Sequence, residues 1–327
     1  MKYLKMIAAA GVLVAAGAFA PASASEEATT VAQKALKQDA ICTRCHDESE
    51  ARPVLSIYQT RHGVKADART PTCQDCHGDS DKHVKGDPGQ KGRAKPDVVF
   101  RKGSGAYPPD EPAVVAGVCP DCHKSGARSH WSGSQHQRED MSCVSCHEIH
   151  TPRDPVLAKQ TQPEVCFTCH KEQRAQLHRI STHPVLEGKL GCSNCHNPHG
   201  STGPKLLVKN SVNETCFTCH DEKRGPFLWE HQPVSDDCTN CHTPHGSSNE
   251  PLLKARLPWL CQDCHSGDHA RSVYSGANLP GGAVTTVNGN KPFQNQAPNA
   301  QIVGRDCLNC HSLIHGSNSP AGAKFQR

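Results

Sequence analysis

The chain has 327 residues and a formal net charge of +4, and only 35% of it is hydrophobic, a share that includes 20 cysteines and an apolar N-terminus. With those set aside, roughly a quarter of the chain remains to pack, about half the usual apolar share. That excludes the two conventional apolar-cored domains this length would otherwise suggest. Low hydrophobicity usually means disorder, but 20 cysteines and 22 histidines in a fixed arrangement argue for an interior filled by something other than side chains.

Residues 1–24 read as a secretory signal peptide. Lys2 and Lys5 form a positive n-region, Ile7 to Ala20 an apolar run, and Ala22-Ser23-Ala24 an A-x-A cleavage site, so the mature chain is expected to begin at Ser25. The run is too short to span a bilayer. Residues 26–40 are expected to form a short helix, and residues 84–118, with Asp87-Pro-Gly, Lys95-Pro and Tyr107-Pro-Pro, an extended loop. Residues 270–306 read as a second long loop.

Every cysteine belongs to a Cys-x-x-Cys pair followed at once by histidine. The first five units are Cys42, Cys45 and His46; Cys73, Cys76 and His77; Cys119, Cys122 and His123; Cys143, Cys146 and His147; and Cys166, Cys169 and His170. The next five are Cys192, Cys195 and His196; Cys216, Cys219 and His220; Cys238, Cys241 and His242; Cys261, Cys264 and His265; and Cys307, Cys310 and His311. Disulfides and zinc ribbons also use paired cysteines, but neither requires a histidine after every pair. Ten successes in ten have a chance probability of ~10⁻¹² at this histidine frequency. Covalent haem attachment needs that residue, because two thioethers fix the porphyrin and the adjacent imidazole reaches its iron. Ten covalently attached haem c groups are therefore expected, with the ten motif histidines as proximal ligands. The chain should then be loops and short helices around an elongated haem array, with little or no sheet. Losing Lys2 and Lys5 leaves +2; about twenty propionates, offset in the oxidised form by about ten ferric charges, give about −8 when oxidised and about −18 when reduced, which removes any argument for nucleic-acid binding.

Motif starts are separated by 31, 46, 24, 23, 26, 24, 22, 23 and 46 residues. Val165-Cys-Phe-Thr-Cys-His-Lys-Glu resembles Thr215-Cys-Phe-Thr-Cys-His-Asp-Glu, and each leads to a second motif ending His-x-Pro-His-Gly, at His196–Gly200 and His242–Gly246. The spacing predicts a domain over 25–327 built of five dihaem modules starting near Cys42, Cys119, Cys166, Cys216 and Cys261. Each has one histidine between its motifs (His62, His136, His183, His231 and His269) and one trailing the second (His83, His150, His199, His245 and His315). These ten are the predicted distal iron ligands, and His130 and His178 are left as spares. Met141 is the one methionine outside the signal, so bis-histidine ligation is expected, at lower potential than Met/His centres. A six-coordinate iron offers no position to substrate. That favours an electron carrier with no catalytic residue over an enzyme.

The chain resembles the periplasmic decahaem cytochromes of porin–cytochrome conduits (the MtrA/DmsE family) from about Cys42 to the C-terminus. The likeness is densest in Ser211-Val-Asn-Glu-Thr-Cys-Phe-Thr-Cys-His-Asp-Glu-Lys-Arg-Gly-Pro, in Leu228-Trp-Glu-His231 and in Arg305-Asp-Cys-Leu-Asn-Cys-His311. The resemblance implies a periplasmic haem wire inserted in an outer-membrane β-barrel porin. Its partners would be an extracellular multihaem cytochrome or terminal reductase on one side and periplasmic or inner-membrane cytochrome electron donors on the other. It also carries bis-histidine ligation onto the positions named above. A multihaem reductase and a soluble periplasmic electron shuttle or store are the alternative readings.

Overall fold

Each Cys-x-x-Cys-His segment closes on itself in one turn. The histidine amide donates to the first cysteine's carbonyl, at 3.1 Å in His46, 2.9 Å in His147 and His170, and 2.8 Å in His311. An i to i−4 bond of this kind gathers the two sulfurs and the imidazole on one side of the turn. The computed structural model describes residues 23–49, 53–65, 69–88, 90–100, 107–265 and 306–326. The expected signal, apart from Ser23 and Ala24, lies outside them, as do His269 and nearly all of the second long loop.

Among the described residues there is no strand, only isolated bridges and short helices. The helices are α1 (Ser23–Thr43), α2 (Cys73–His77), α3 (Asp81–Val84), α4 (Pro112–Val118), α5 (Gln135–Arg138), α6 (Gln162–Phe167), α7 (Lys171–Leu177), α8 (Val212–Cys216), α9 (Gln232–Asp236) and α10 (Trp259–Gln262). The expected N-terminal helix is present as α1 and runs into the first motif. The loop expected over 84–118 is interrupted by α4. Pro112 occupies its first turn, where a missing N–H costs nothing, and Val115 is buried to 1% exposure. Among the described residues the buried hydrophobic side chains are Val115, Phe167, Leu177 and Leu253. Such a small apolar core matches the composition.

Two compact units divide the chain: residues through Pro109 together with His150–Pro152, and Asp110–Ile149 together with Arg153 onward. In the first, buried Asp39 on α1 ties three segments together. Its carboxylate accepts from the Cys73 amide at the start of α2 (2.9 Å), the Tyr58 hydroxyl (3.0 Å) and the Lys65 ammonium (3.1 Å).

The second unit repeats one local plan. After the motifs at Cys192 and Cys238 the chain doubles back. Asn197 and Thr243 donate to the carbonyls of Leu206 and Leu252, both at 2.7 Å, while Val208 and Lys254 donate to Cys195 and Cys241 at 2.9 and 2.8 Å. The cation–π contacts repeat as well, with Arg174 over Phe167 and Arg224 over Phe217. Glycine closes each His-x-Pro-His-Gly ending because another backbone passes there. At Gly200 and Gly246, both with positive φ, a Cβ would meet the carbonyl oxygens of His130 at 2.2 Å and Gln176 at 2.0 Å.

Candidate functional site

Among the described residues, eight pairs of histidine rings lie close together, each joining one motif histidine to one of the predicted distal histidines. The centroid separations are 6.2 Å for His46–His83, His77–His150, His170–His136 and His242–His315. They are 6.0 Å for His147–His199 and His196–His245, 6.1 Å for His265–His231 and 6.3 Å for His220–His183. With metal–imidazole bonds of about 2 Å and each ring centroid about 1 Å behind its nitrogen, two trans imidazoles stand roughly 6 Å apart. The pairs have the separation a bis-histidine iron requires. Of the remaining site residues, His62, His123 and His311 are described and His269 lies outside the described residues.

Second-nitrogen contacts fix the orientation of these rings. Nδ1–H donates to a main-chain carbonyl in His77 (Val98, 3.0 Å), His83 (Ala94, 2.9 Å), His150 (Val54, 2.8 Å), His196 (Lys205, 3.0 Å), His242 (Pro251, 3.0 Å) and His311 (Lys324, 2.6 Å). Such a bond leaves Nε2 with its lone pair free for a metal. In His83 that Nε2 is buried with no hydrogen-bond partner, an orphan that an iron would satisfy. The acceptors Ala94 and Val98 belong to the loop expected over 84–118, so that segment orients two of these imidazoles.

Burial pushes His77, His123, His199, His231, His242, His245 and His315 below the ordinary histidine pKa. Neutral imidazole, the form that binds metal, is thereby favoured.

Seven of the eight pairs cross the module boundaries expected from the sequence; His46–His83 alone stays inside one. A repeated junction produces the exchange. Ser181 and Ser247 pair antiparallel through bonds of 3.0 and 2.8 Å, and Trp229 and Ser317 do so through two of 2.9 Å. His183 then donates to the Pro244 carbonyl at 2.8 Å, and His136 to that of Pro198 at 2.8 Å. His231 faces Ile314 in the same register, and that carbonyl partly offsets the burial. In both bonded cases the acceptor is the proline before the next trailing histidine, and Ile314 holds the same place beside His231, whose Nδ1 is buried without a hydrogen-bond partner. Two distal histidines therefore sit side by side, each aimed at the other module's motif. The spares His130 and His178 are exposed, while their neighbours His136 and His183 pair with His170 and His220.

The sulfurs are ordered too. First cysteines of consecutive motifs lie near enough to perturb each other's ionisation in Cys42–Cys73, Cys119–Cys143, Cys166–Cys192, Cys216–Cys238 and Cys261–Cys307. That contact pushes Cys166 and Cys216 above the ordinary thiol range and Cys192 and Cys238 below it. Cys166 also feels Cys146, Cys195 feels Cys216 and Cys219, and Cys241 feels Cys264. All twenty cysteines are free of disulfides. Among the described residues no group of three or more His, Cys, Asp or Glu converges to hold a metal ion directly. Two sulfurs and an imidazole gathered on one turn fit thioether attachment of a haem with the histidine toward its iron.

Sequence reasoning missed the orienting carbonyls and Asp154, whose carboxylate accepts from His147 Nδ1 at 2.6 Å. The Pro of His-x-Pro-His was visible, but its role as acceptor for the preceding module's histidine was not.

Comparison with known proteins gives one family model, a doubled CXXCH motif, matching residues 136–175, 183–225 and 231–270. Each match contains one facing pair whole: His136 with His170, His183 with His220, and His231 with His265. The chain is 42% identical over 291 residues to multiheme cytochrome MtrA of Shewanella baltica (strain OS185), covering 88% of this chain and 80% of that protein. It is 28% identical over 82 residues to cytochrome c-type protein NrfB of Haemophilus influenzae, covering 25% and 34%.

Proposed function

Because the chain belongs to the MtrA-type family of multihaem c-type cytochromes, we propose that it is a ten-haem periplasmic electron wire reaching the cell exterior through an outer-membrane porin. It carries electrons through several covalently bound haems and is not an enzyme. The haem supplies a reversible one-electron ferric/ferrous couple; the chain attaches, ligates and spaces it. Each Cys-x-x-Cys pair forms the thioethers, the following histidine is the proximal ligand, and the ten predicted histidines, His269 included, are the distal set. The five dihaem modules describe the order of motifs along the chain, while ligation in this reading links each module to its neighbour.

The observation that carries this reading is the eight imidazole pairs at 6.0–6.3 Å. With both axial positions filled, electrons pass by outer-sphere transfer. The sulfur contacts favour an order that follows the sequence from Cys119 to Cys307. No helix among the described residues is long and apolar enough to cross a membrane. Loop-rich backbone cannot face lipid, where its polar groups go unsatisfied, whereas a large β-barrel with a polar lumen accommodates it. Periplasmic or inner-membrane cytochromes would supply one end and an extracellular multihaem cytochrome or terminal reductase would serve the other, in anaerobic metal or sulfoxide respiration.

Intact mass of the denatured holoprotein should show ten haem additions on a chain beginning near Ser25. Proteoliposomes enclosing a redox dye should be reduced from outside when the porin complex is present. Fewer haems in matured protein would overturn the count, and equal transfer by the cytochrome without porin would overturn the conduit.

A further inference from the structure

We propose that Asp154 tunes one haem of the wire, the one attached at Cys143 and Cys146, by holding its reduction potential down through His147. His147 Nδ1 and Asp154 Oδ2 are 2.6 Å apart, and both side chains are largely covered, at 28% and 11% exposure. Four other motif histidines, His77, His196, His242 and His311, donate to main-chain carbonyls instead. His220 has a carboxylate nearby, but Glu222 stands 3.9 Å away and both side chains are more than half exposed, beyond hydrogen-bonding reach and screened.

The difference in acceptor matters because of charge. A carboxylate partner draws the Nδ1 proton toward itself, and the ring gains imidazolate character and pushes more electron density through Nε2 onto the metal. Extra donation stabilises the ferric state over the ferrous state, so the potential falls. The step is a single electron gained from one neighbouring haem and lost to the other; no bond breaks, and the proton stays on Nδ1. On the far side of the same pair, His199 Nδ1 is buried without an acceptor and Trp131 packs against its ring at 6.3 Å. The distal ligand therefore has no comparable push, and the balance of the pair rests on the proximal side.

Asp154 is also held for this task. Its second oxygen, Oδ1, accepts from the Glu148 and Val156 amides, both at 3.3 Å, fixing the carboxylate across the turn that follows the motif. Pro155 begins the next turn and prevents its own amide from competing.

The proposal rests on the haem assignment made above, and its test separates the two. Asp154→Asn keeps the capping geometry and removes the charge; Asp154→Glu keeps the charge. Potentiometric titration of the holoprotein should show a single one-electron component moved to higher potential in Asp154→Asn and lying nearer wild type in Asp154→Glu. Electron paramagnetic resonance should find that haem still low-spin in both. An unchanged titration in Asp154→Asn, or equal shifts in the two variants, overturns the proposal. So does a high-spin signal in Asp154→Asn, which would mean that the carboxylate holds the ligand in place and does not tune it. Peptide mass lacking haem on Cys143 and Cys146 in wild type would overturn the haem reading first, and this proposal with it.

Discussion

His231 and His265 face each other with ring centroids 6.1 Å apart and planes inclined by 24°, although the sequence places them in different modules. The predicted consequence is specific. His231→Ala should deprive the haem at Cys261 and Cys264 of its sixth ligand, and not the haem at Cys238 and Cys241 in its own module, whose His242 faces His315. One haem should become high-spin, detected by electron paramagnetic resonance, and exogenous imidazole should restore the low-spin signal. His315→Ala should produce the complementary loss at Cys238 and Cys241. A defect that follows the module of the mutated residue would contradict the exchange.

The spares give the matching control. His130 and His178 are exposed, while His136 and His183 face His170 and His220 at 6.2 and 6.3 Å. His130→Ala and His178→Ala should leave every haem low-spin and shift stability by no more than ~0.5 kcal/mol, as surface changes usually do. Appearance of a high-spin haem in either variant would assign it a ligand role.

The contrast between His231 and His130 shows how far the sequence carries. Covalent haem attachment was legible in kind, since it demands a fixed local pattern that the chain repeats ten times. Repetition also singled out the eight non-motif histidines that face a motif histidine, apart from His130 and His178. Which histidine serves which iron was not, because spacing reports distance along the chain, whereas the pairing depends on the Ser181–Ser247 and Trp229–Ser317 bridges between segments remote in sequence. Helix α4 was hidden for a different reason: the prolines before it dominated the local signal, and the short run Ala113-Val-Val-Ala has no helical period of its own. Asp154 carries no pattern, being one acid seven residues past a motif histidine.

Ring orientation yields a spectroscopic prediction. His136 and His170 are nearly perpendicular, at 88°, whereas His147–His199, His242–His315 and His46–His83 are within 6°, 14° and 16° of parallel. Perpendicular axial imidazoles leave the two iron d orbitals that they address nearly degenerate, which gives a low-spin signal with a single large g value; parallel rings split them and give a rhombic signal. The haem at Cys166 and Cys169 should be of the large-g type, and His136→Ala should abolish that contribution. A wild-type spectrum composed of rhombic signals alone would contradict the geometry.

At Gly246 the backbone is the constraint. A methyl there would meet the Gln176 carbonyl oxygen at 2.0 Å, in a conformation with φ of 154°. Gly246→Ala must therefore open the Ser181–Ser247 bridge, at a cost of order 1–3 kcal/mol, and it moves His245 away from His196. A lower unfolding midpoint together with a perturbed haem at Cys192 is expected. Wild-type midpoint and spectrum in this variant would show that the junction is looser than its geometry indicates.

The last prediction concerns acid stability of the N-terminal unit. Burial acts to raise the pKa of Asp39, but the Cys73 amide, the Lys65 ammonium and the Tyr58 hydroxyl outweigh it and hold the carboxyl below its ordinary value of 3.8. A carboxylate depressed on folding stabilises the folded state above the unfolded-state pKa, near ~4, and that contribution is lost as pH falls through the lower folded-state value. Asp39→Asn should therefore weaken the unit at neutral pH and converge with wild type in acid. At 2% exposure for Asp39 and 7% for Lys65, the variant also leaves a buried ammonium without its counter-charge, so the neutral-pH loss should approach about 3–5 kcal/mol. Hydrogen exchange of the Val54–Gln59 turn and α2, followed from neutral pH into acid in both proteins, measures it. A gap between variant and wild type that stays constant down to the lowest pH would show that the contribution of Asp39 does not come from its charge.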